Sequence, residues 1–310
     1  MKLEYNFINA SEPPKREDRL SAGCAFGGSC SEIKGKCSCM KLADRAFTQT
    51  QGCQLYLSSS IINTMLNIAI IIHGPVGCGG ANIFSAGTTR TVQRLRDPKA
   101  SGLLWLSTNL DSADVITGGE KKLREAIAYA DKEFQPEAIM VVSTCVPSLI
   151  GDDLDTILST MQPQSTAKLV PIHCAGFKTT INATAYDAVY HGILRTLMIK
   201  RFEDYDEPTL VDEIEQFKQR LQRSRTVNIF NMSSISRDDE LELTRLLNAL
   251  ELKVRIFPCY AHPNDFETIE EAALNVSVCP THDDYFSGHF KGNVRYPLSL
   301  SYLTGWNYKY

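Results

Sequence analysis

The sequence predicts an α/β fold of repeated Rossmann-like units, with parallel sheets flanked by helices. Three observations predict it. Short apolar runs of strand length recur along the chain, stretches with helical spacing of apolar residues separate them, and Gly or Pro stops several of the runs. Strands that alternate with helices build parallel sheets covered on both faces. At 310 residues the chain is long enough for about two domains.

The elements follow in order. Residues 1–52 read as a loose polar arm followed by an irregular segment rich in Cys and Gly. The most apolar stretch, residues 60–77, is broken by Asn63, Asn67 and His73. It is short for a membrane span, which needs about 20 mostly apolar residues, and reads as a buried helix running into the strand Ala69–His73. Further strands are expected over Leu103–Ser107, Ala138–Ser143 and Leu169–His173. Between them lie helices over Gly119–Phe134, with Leu123, Ala126, Ile127 and Ala130 on one face, and Asp152–Met161; a third, Ile181–Ile199, follows the last strand. The charged run Lys200–Glu207 marks a boundary between an α/β domain at 53–203 and a second at 204–310. The second domain reads as a helix at Val211–Gln222, a strand at Thr226–Asn231, a Leu-rich helix at Arg237–Leu250, and strands at Lys253–Phe257 and Ala273–Val278.

Composition narrows the function. Hydrophobic residues make up 43% and charged residues 22%, which excludes global disorder. A net charge of -4 gives nucleic acid no electrostatic footing. The first residues lack the apolar core and small-residue cleavage site of a secretory signal. The expected setting is the cytoplasm, away from membranes and nucleic acid. Stable disulfides are rare there, so the ten cysteines are read as buried thiols, metal ligands or redox groups.

In parallel sheets ligands sit at the carboxyl ends of strands. Cys78, Cys145, Cys174, Cys259 and Cys279 all fall at or just past such ends. Five thiols on equivalent edges suggest soft-ligand chemistry on one rim. Around Cys78 the run His73-Gly74-Pro75-Val76-Gly77-Cys78-Gly79 uses Gly77 and Gly79 to let backbone approach a bulky group and to supply positive φ. The same run is equally a tight turn with a buried thiol. Cys145 opens Cys145-Val146-Pro147-Ser148-Leu149-Ile150-Gly151-Asp152-Asp153, whose two carboxylates read first as helix caps. Cys53, after Gly52, reads alone as a buried thiol. Its distance in sequence from Cys78 and Cys145 is far too long for a zinc knuckle. Cys24, Cys30, Cys37 and Cys39 match no standard zinc spacing and read as inert thiols or an extra metal or redox group.

The order Gly52-Cys53, then HGPVGCG, then STCVPSLIGDDL resembles the component 1 proteins of nitrogenase. GGEKKL at 118–123 and LVPIHCAGF at 169–177 match that family as well. The likeness is closest over residues 50–200, and nearer to the alpha-type subunit and its cofactor-scaffold paralogue than to the beta type. The resemblance implies that Cys53, Cys78 and Cys145 hold an iron-sulfur cluster, P-cluster-like or 4Fe-4S, at the seam with a paralogous subunit in an alpha-2-beta-2 assembly. It implies electrons from a separate ATP-dependent iron-sulfur reductase. Cys279 matches the position that ligates an iron-based active-site metallocluster, with His282 and His289 nearby.

Two departures shape the expected activity. Asn182, Ala183 and Thr184 stand where the dinitrogen-reducing subunit has a His-containing segment, and His191 falls on the following helix. The family also continues into a third α/β domain, whereas this sequence stops at Tyr310, so that domain is expected to be missing. The expected function is a nitrogenase-like oxidoreductase subunit reducing a small substrate, of methylthio-alkane or dinitrogen type. The alternative is a non-catalytic scaffold for metallocluster assembly.

Overall fold

A computed structural model describes residues 10–13, 53–80, 94, 104–179, 182–197, 225–231, 237–277, 280–289 and 298–299. The expected boundary at Lys200–Glu207, the helix at Val211–Gln222, the four cysteines before Cys53, and Cys279 lie outside these residues.

The expected α/β class holds. The first unit contains α1 (Gln54–Ile62), β1 (Ile68–His73), α2 (Val76–Gly80), β2 (Leu104–Ser107), α3 (Ser112–Thr117), α4 (Glu120–Phe134), β3 (Ala138–Ser143), α5 (Cys145–Ile150), α6 (Leu154–Met161), β4 (Lys168–His173) and α7 (Asn182–Thr196). Its sheet is wholly parallel, in the order β2-β1-β3-β4. The second unit contains β5 (Thr226–Phe230), α8 (Arg237–Ala249), β6 (Lys253–Phe257), β7 (Leu274–Ser277), α9 (Pro280–His289) and β8 (Leu298–Ser299). Its parallel sheet runs β6-β5-β7-β8.

The strand residues alternate between two cores. Ala69, Ile71, Ile139 and Val141 face Leu123 and Ile127 of α4 and Ile157 and Leu158 of α6. Ile70, Ile72, Met140 and Val142 face the other way, onto α1 and α7. Both faces are therefore covered, and β1 and β3 are buried throughout. Each fully buried Ile stabilises the fold by about 1.5–3 kcal/mol.

The second core does not stop at the first unit. It continues through Tyr190 and Ile193 of α7 into Phe230, Phe257, Phe266 and Phe286 of the second. Aromatic stacking carries the join: the Tyr190 and Phe286 rings lie 4.4 Å apart, and Phe286 meets Phe230 edge-on at 5.0 Å. Polar contacts reinforce it. Tyr190 donates to Asp283 at 2.8 Å, Ser277 donates to the other Asp283 oxygen at 2.7 Å, and Lys168 pairs with Glu267 at 2.7 Å.

Sequence reading missed α9 and the helical segment Pro263–Glu271 as well as the shortest helices. α2, α3 and α5 span five or six residues each, too few for a periodic signal. The α3 start is nonetheless well specified, since Asp111 and Asp114 close a capping box.

Gly192 of α7 lies against the edge strand β4. A methyl there would stand 2.4 Å from the Pro171 carbonyl oxygen. Gly192→Ala is expected to destabilise the protein by about 1–3 kcal/mol through the forced shift of α7. A urea denaturation midpoint measured against the parent protein checks this.

Candidate metal centre

β1 and β3 are neighbours whose following chain segments leave toward different strands, so a crevice opens at their carboxyl ends. Three cysteines stand there. Cys53 is the N-cap residue of α1 and exposed. Cys78 lies in α2, just after β1, and is half-buried. Cys145 opens α5, just after β3, and is also half-buried.

Gly176, in the turn after β4, brings two of these sulfurs to one place. Its N–H donates to Cys145 Sγ at 3.0 Å. A methyl on Gly176 would stand 2.8 Å from Cys53 Sγ and 3.3 Å from Cys145 Sγ. Only a glycine leaves room for both. Cys78 joins them electrostatically. Burial pushes its thiol up, the Thr144 hydroxyl pulls it down, and the sulfurs of Cys145 and Cys53 add to the rise. The trio that sequence reading separated by long intervals thus shares one rim.

The geometry also limits the chemistry. Among the described residues no three His, Cys, Asp or Glu side chains close around a single metal ion. A closed tetrahedral zinc site, with four ligands on one ion, does not fit. A multinuclear cluster does fit, because it places each thiolate on a different metal and leaves its outer side for further ligands. Soft sulfurs on a rim suit a group that brings its own positive charge, which offsets the burial that disfavours the Cys78 thiolate.

The rim rests on a buried polar web. His73 ends β1 and is fully buried. Its Nε2 lies 3.1 Å from Asp152 Oδ2 and its Nδ1 lies 3.2 Å from Thr108 Oγ1. Burial pushes the imidazole down, and Asp152 pulls against it. Asp152 also accepts the Gly119 N–H at 3.1 Å on both oxygens. Of the two carboxylates read as caps, Asp153 does cap α6, accepting from Thr156 N, whereas Asp152 ties β1 to the α3–α4 junction. The His73 carbonyl accepts from both Thr144 N and Thr144 Oγ1, at 3.1 and 3.0 Å.

Several expectations change. Cys174 and Cys259 are wholly buried and belong to the cores, so the proposed rim of five thiols shrinks. Burial pushes the Cys174 thiol up to about 12, and its S–H donates to Ser58 at 3.0 Å. Gly77 and Gly79 have no positive φ; they are helical residues of α2. Gly79 sits against Ser107, while a methyl on Gly77 would meet nothing. His282 stacks flat on Tyr186 with ring centroids 4.3 Å apart, and His289 lies 3.9 Å from Glu270. Gly176, Thr144 and the Asp152–His73 link were missed. Gly176 had a weak signal as a glycine just past a strand end.

A family model described as nitrogenase component 1 type oxidoreductase matches residues 53–307. The chain belongs to that family. A nitrogenase iron-molybdenum cofactor biosynthesis protein NifE of Rippkaea orientalis is 34% identical over 45% of this chain and 28% of its own length. NifE of Klebsiella pneumoniae is 27% identical over 74% of this chain and 47% of its own. A nitrogenase molybdenum-iron protein alpha chain of Methanosarcina barkeri is 26% identical over 52% of this chain and 30% of its own. A solved structure titled nitrogenase Cp1 at pH 5 aligns with a TM-score of 0.61 at 21% identity, over 79% of this chain and 46% of that one. That likeness shows the component 1 fold. The chain spans less than half the length of these relatives. Among the described residues no helix is long and apolar enough to cross a membrane.

The segment that departs from the family's His motif opens α7, and His191 lies farther along that helix. Its Nε2 lies 2.7 Å from the Ala10 carbonyl oxygen and its Nδ1 lies 2.6 Å from the Tyr285 hydroxyl. Ala10 O can only accept, so Nε2 carries the proton and Tyr285 donates to Nδ1. Arg195 to Ser11 and Lys178 to Glu12 complete the anchoring of residues 10–12. Burial pushes His191 down to about 4, so the unfolded chain binds the extra proton first. Stability is complete above about pH 6.5 and falls as pH drops toward 4, by on the order of 3 kcal/mol at most. His191→Gln is expected to flatten that slope by up to one proton, read from urea unfolding between pH 4.5 and 7.

Proposed function

We propose that this chain is a cluster-bearing subunit of a nitrogenase-like assembly. Cys53, Cys78 and Cys145 hold an iron-sulfur cluster, P-cluster-like or 4Fe-4S, at a seam with a paralogous subunit. The observation that carries the proposal is the Gly176 turn, which holds two of the three sulfurs around one point while the third lies within their electrostatic reach. Exposed apolar residues surround the thiols: Tyr56 beyond Cys53, Val76 before Cys78, Leu149 beyond Cys145, and Phe177 beside Gly176. Exposed apolar residues on the loops that carry the thiols are surface that a partner subunit would cover. A second subunit seated there supplies the remaining ligands and keeps water off the sulfurs.

The bound cluster would supply one-electron storage at low potential. This chain's residues do the rest: the Gly176 N–H stabilises charge on Cys145 Sγ, the His73 web fixes the loops, and the rim keeps the thiols outward. Two uses of such a centre remain distinct. Most of the relatives cited carry names of cofactor biosynthesis proteins, which favours a scaffold on which a metallocluster matures. Asn182, Ala183 and Thr184, in place of the catalytic subunit's His segment, agree with that role. The alpha-chain relative favours the second reading, an oxidoreductase that passes electrons from an ATP-dependent reductase to a metallocluster at Cys279 and reduces a small substrate. In both readings the protein works in the cytoplasm, and the domains are those at 53–203 and 204–310.

Anaerobic purification with the partner subunit, followed by iron and acid-labile sulfide analysis, tests the shared claim. Cys78→Ala and Cys145→Ala are each expected to remove most of the iron. Full iron retention in both overturns the ligand assignment. Gly176→Ala, which drives a methyl into Cys53 Sγ, is expected to lower iron content at least several-fold. Turnover with reductase, ATP and candidate substrates separates the two uses, since a scaffold yields no sustained product.

A further inference from the structure

The Gly176 turn sets two thiols beside each other. The point where a methyl on Gly176 would stand is 2.8 Å from Cys53 Sγ and 3.3 Å from Cys145 Sγ, so the two sulfurs are no more than about 6 Å apart. Cys78 Sγ lies more than 4 Å from that point, and Cys78 packs instead against the apolar core that holds Ile70 and Ile72. The pair also differs in reach. Cys53 is exposed, whereas Cys145 is half-buried with its sulfur held by the Gly176 N–H at 3.0 Å. One thiol open to a reagent, with a second held next to it, is the arrangement of a pair that forms a disulfide by exchange.

We propose that, in the chain before metal is loaded and a partner subunit is seated, Cys53 and Cys145 form a reversible disulfide that closes the metal centre until a thiol reductant reopens it. The bond itself rests on the geometry above; its blocking of the centre rests on the cluster reading. The oxidant is a small disulfide of the glutathione class. The exposed Cys53 sulfur attacks its S–S bond, which breaks as a mixed disulfide forms, and the departing thiolate takes up the proton that Cys53 lost. Cys145 then attacks the Cys53 sulfur, and a second small thiol leaves with the Cys145 proton. Two protein thiols are thereby oxidised by two electrons, and one small disulfide is reduced to two thiols. An S–S bond is about 2.0 Å long, so rotation of the two side chains closes the remaining gap. Two of the three metal-binding sulfurs are then committed to each other, and Cys78 alone cannot hold a cluster. The link also keeps an exposed thiol from the irreversible steps of sulfur oxidation.

The test uses the full chain, freed of iron with a chelator, reduced, and moved without air into glutathione buffers that run from all-thiol to all-disulfide. Free thiols are capped with N-ethylmaleimide, and the peptides are mapped by mass spectrometry without reduction. The expected product is a peptide crosslinked between Cys53 and Cys145, which grows with the disulfide fraction and disappears with dithiothreitol, while Cys78 is capped throughout. Cys145→Ser is expected to stop at a mixed disulfide between Cys53 and glutathione, because the second attack is lost. The wholly buried Cys174 thiol reports folding, since it resists capping in the folded chain. If the lone chain is capped there, the iron-stripped complex with its partner takes its place. No link between Cys53 and Cys145 in the all-disulfide buffer, or a link from either to Cys78 in its stead, overturns the proposal. The iron-loaded complex in the same buffer is expected to show several-fold less link. A link as abundant as in the stripped protein, formed with the iron still bound, overturns the blocking and the cluster ligands together and leaves the disulfide itself standing. Failure of the disulfide and failure of the cluster reading are thus read from different samples.

Discussion

The arrangement depends on how closely backbone can approach sulfur at the turn after β4. Gly176 wedges between Cys53 and Cys145, and its amide is committed to one of them. Everything around it serves that approach. Gln54, directly after Cys53, holds the same turn: its backbone N–H donates to Thr179 Oγ1 at 3.2 Å, and its side-chain amide reaches the end of β4 at the His173 carbonyl, 3.4 Å away. Asp155 holds the end of β4 through His173 and Arg195. Burial pushes that carboxyl up, but its contacts with His173 and Arg195 outweigh it and keep it below its ordinary value. The end of the edge strand that carries the wedge is thereby fixed from both faces of its sheet.

The fold was legible because its signal is local. Ile70, Ile71 and Ile72 announce a strand buried on both faces, and Leu123, Ala126 and Ile127 announce a helix with one apolar side. Boundaries agreed to within a few residues for these elements. The short helices at the thiol loops escaped because five or six residues cannot establish a period. The site was legible in a different way. Spacing alone could not join Cys53 to Cys145, and the family likeness supplied the grouping before the geometry of Gly176 did.

What stayed hidden is non-local. Asp152 follows a thiol loop and precedes a helix, so capping was the natural reading, and only its neighbour Asp153 performs it. The partner that claims Asp152 is His73, 79 positions earlier in the chain, brought near because β1 and β3 pair in register from Ile68 with Ala138 to His73 with Ser143. Cys174 and Cys259 show the reverse error. A thiol at a strand end has the same sequence setting whether it turns outward to a rim or inward among Ile and Phe, and only the packed structure separates the two.

The aromatic seam that joins the two sheets has a consequence for how the molecule comes apart. Tyr190 of the first unit and Phe230, Phe257, Phe266 and Phe286 of the second belong to one apolar body. Cutting the polypeptide between the two units would strip each of its lining and expose it to water. Calorimetry should therefore record a single endotherm, with neither half melting on its own.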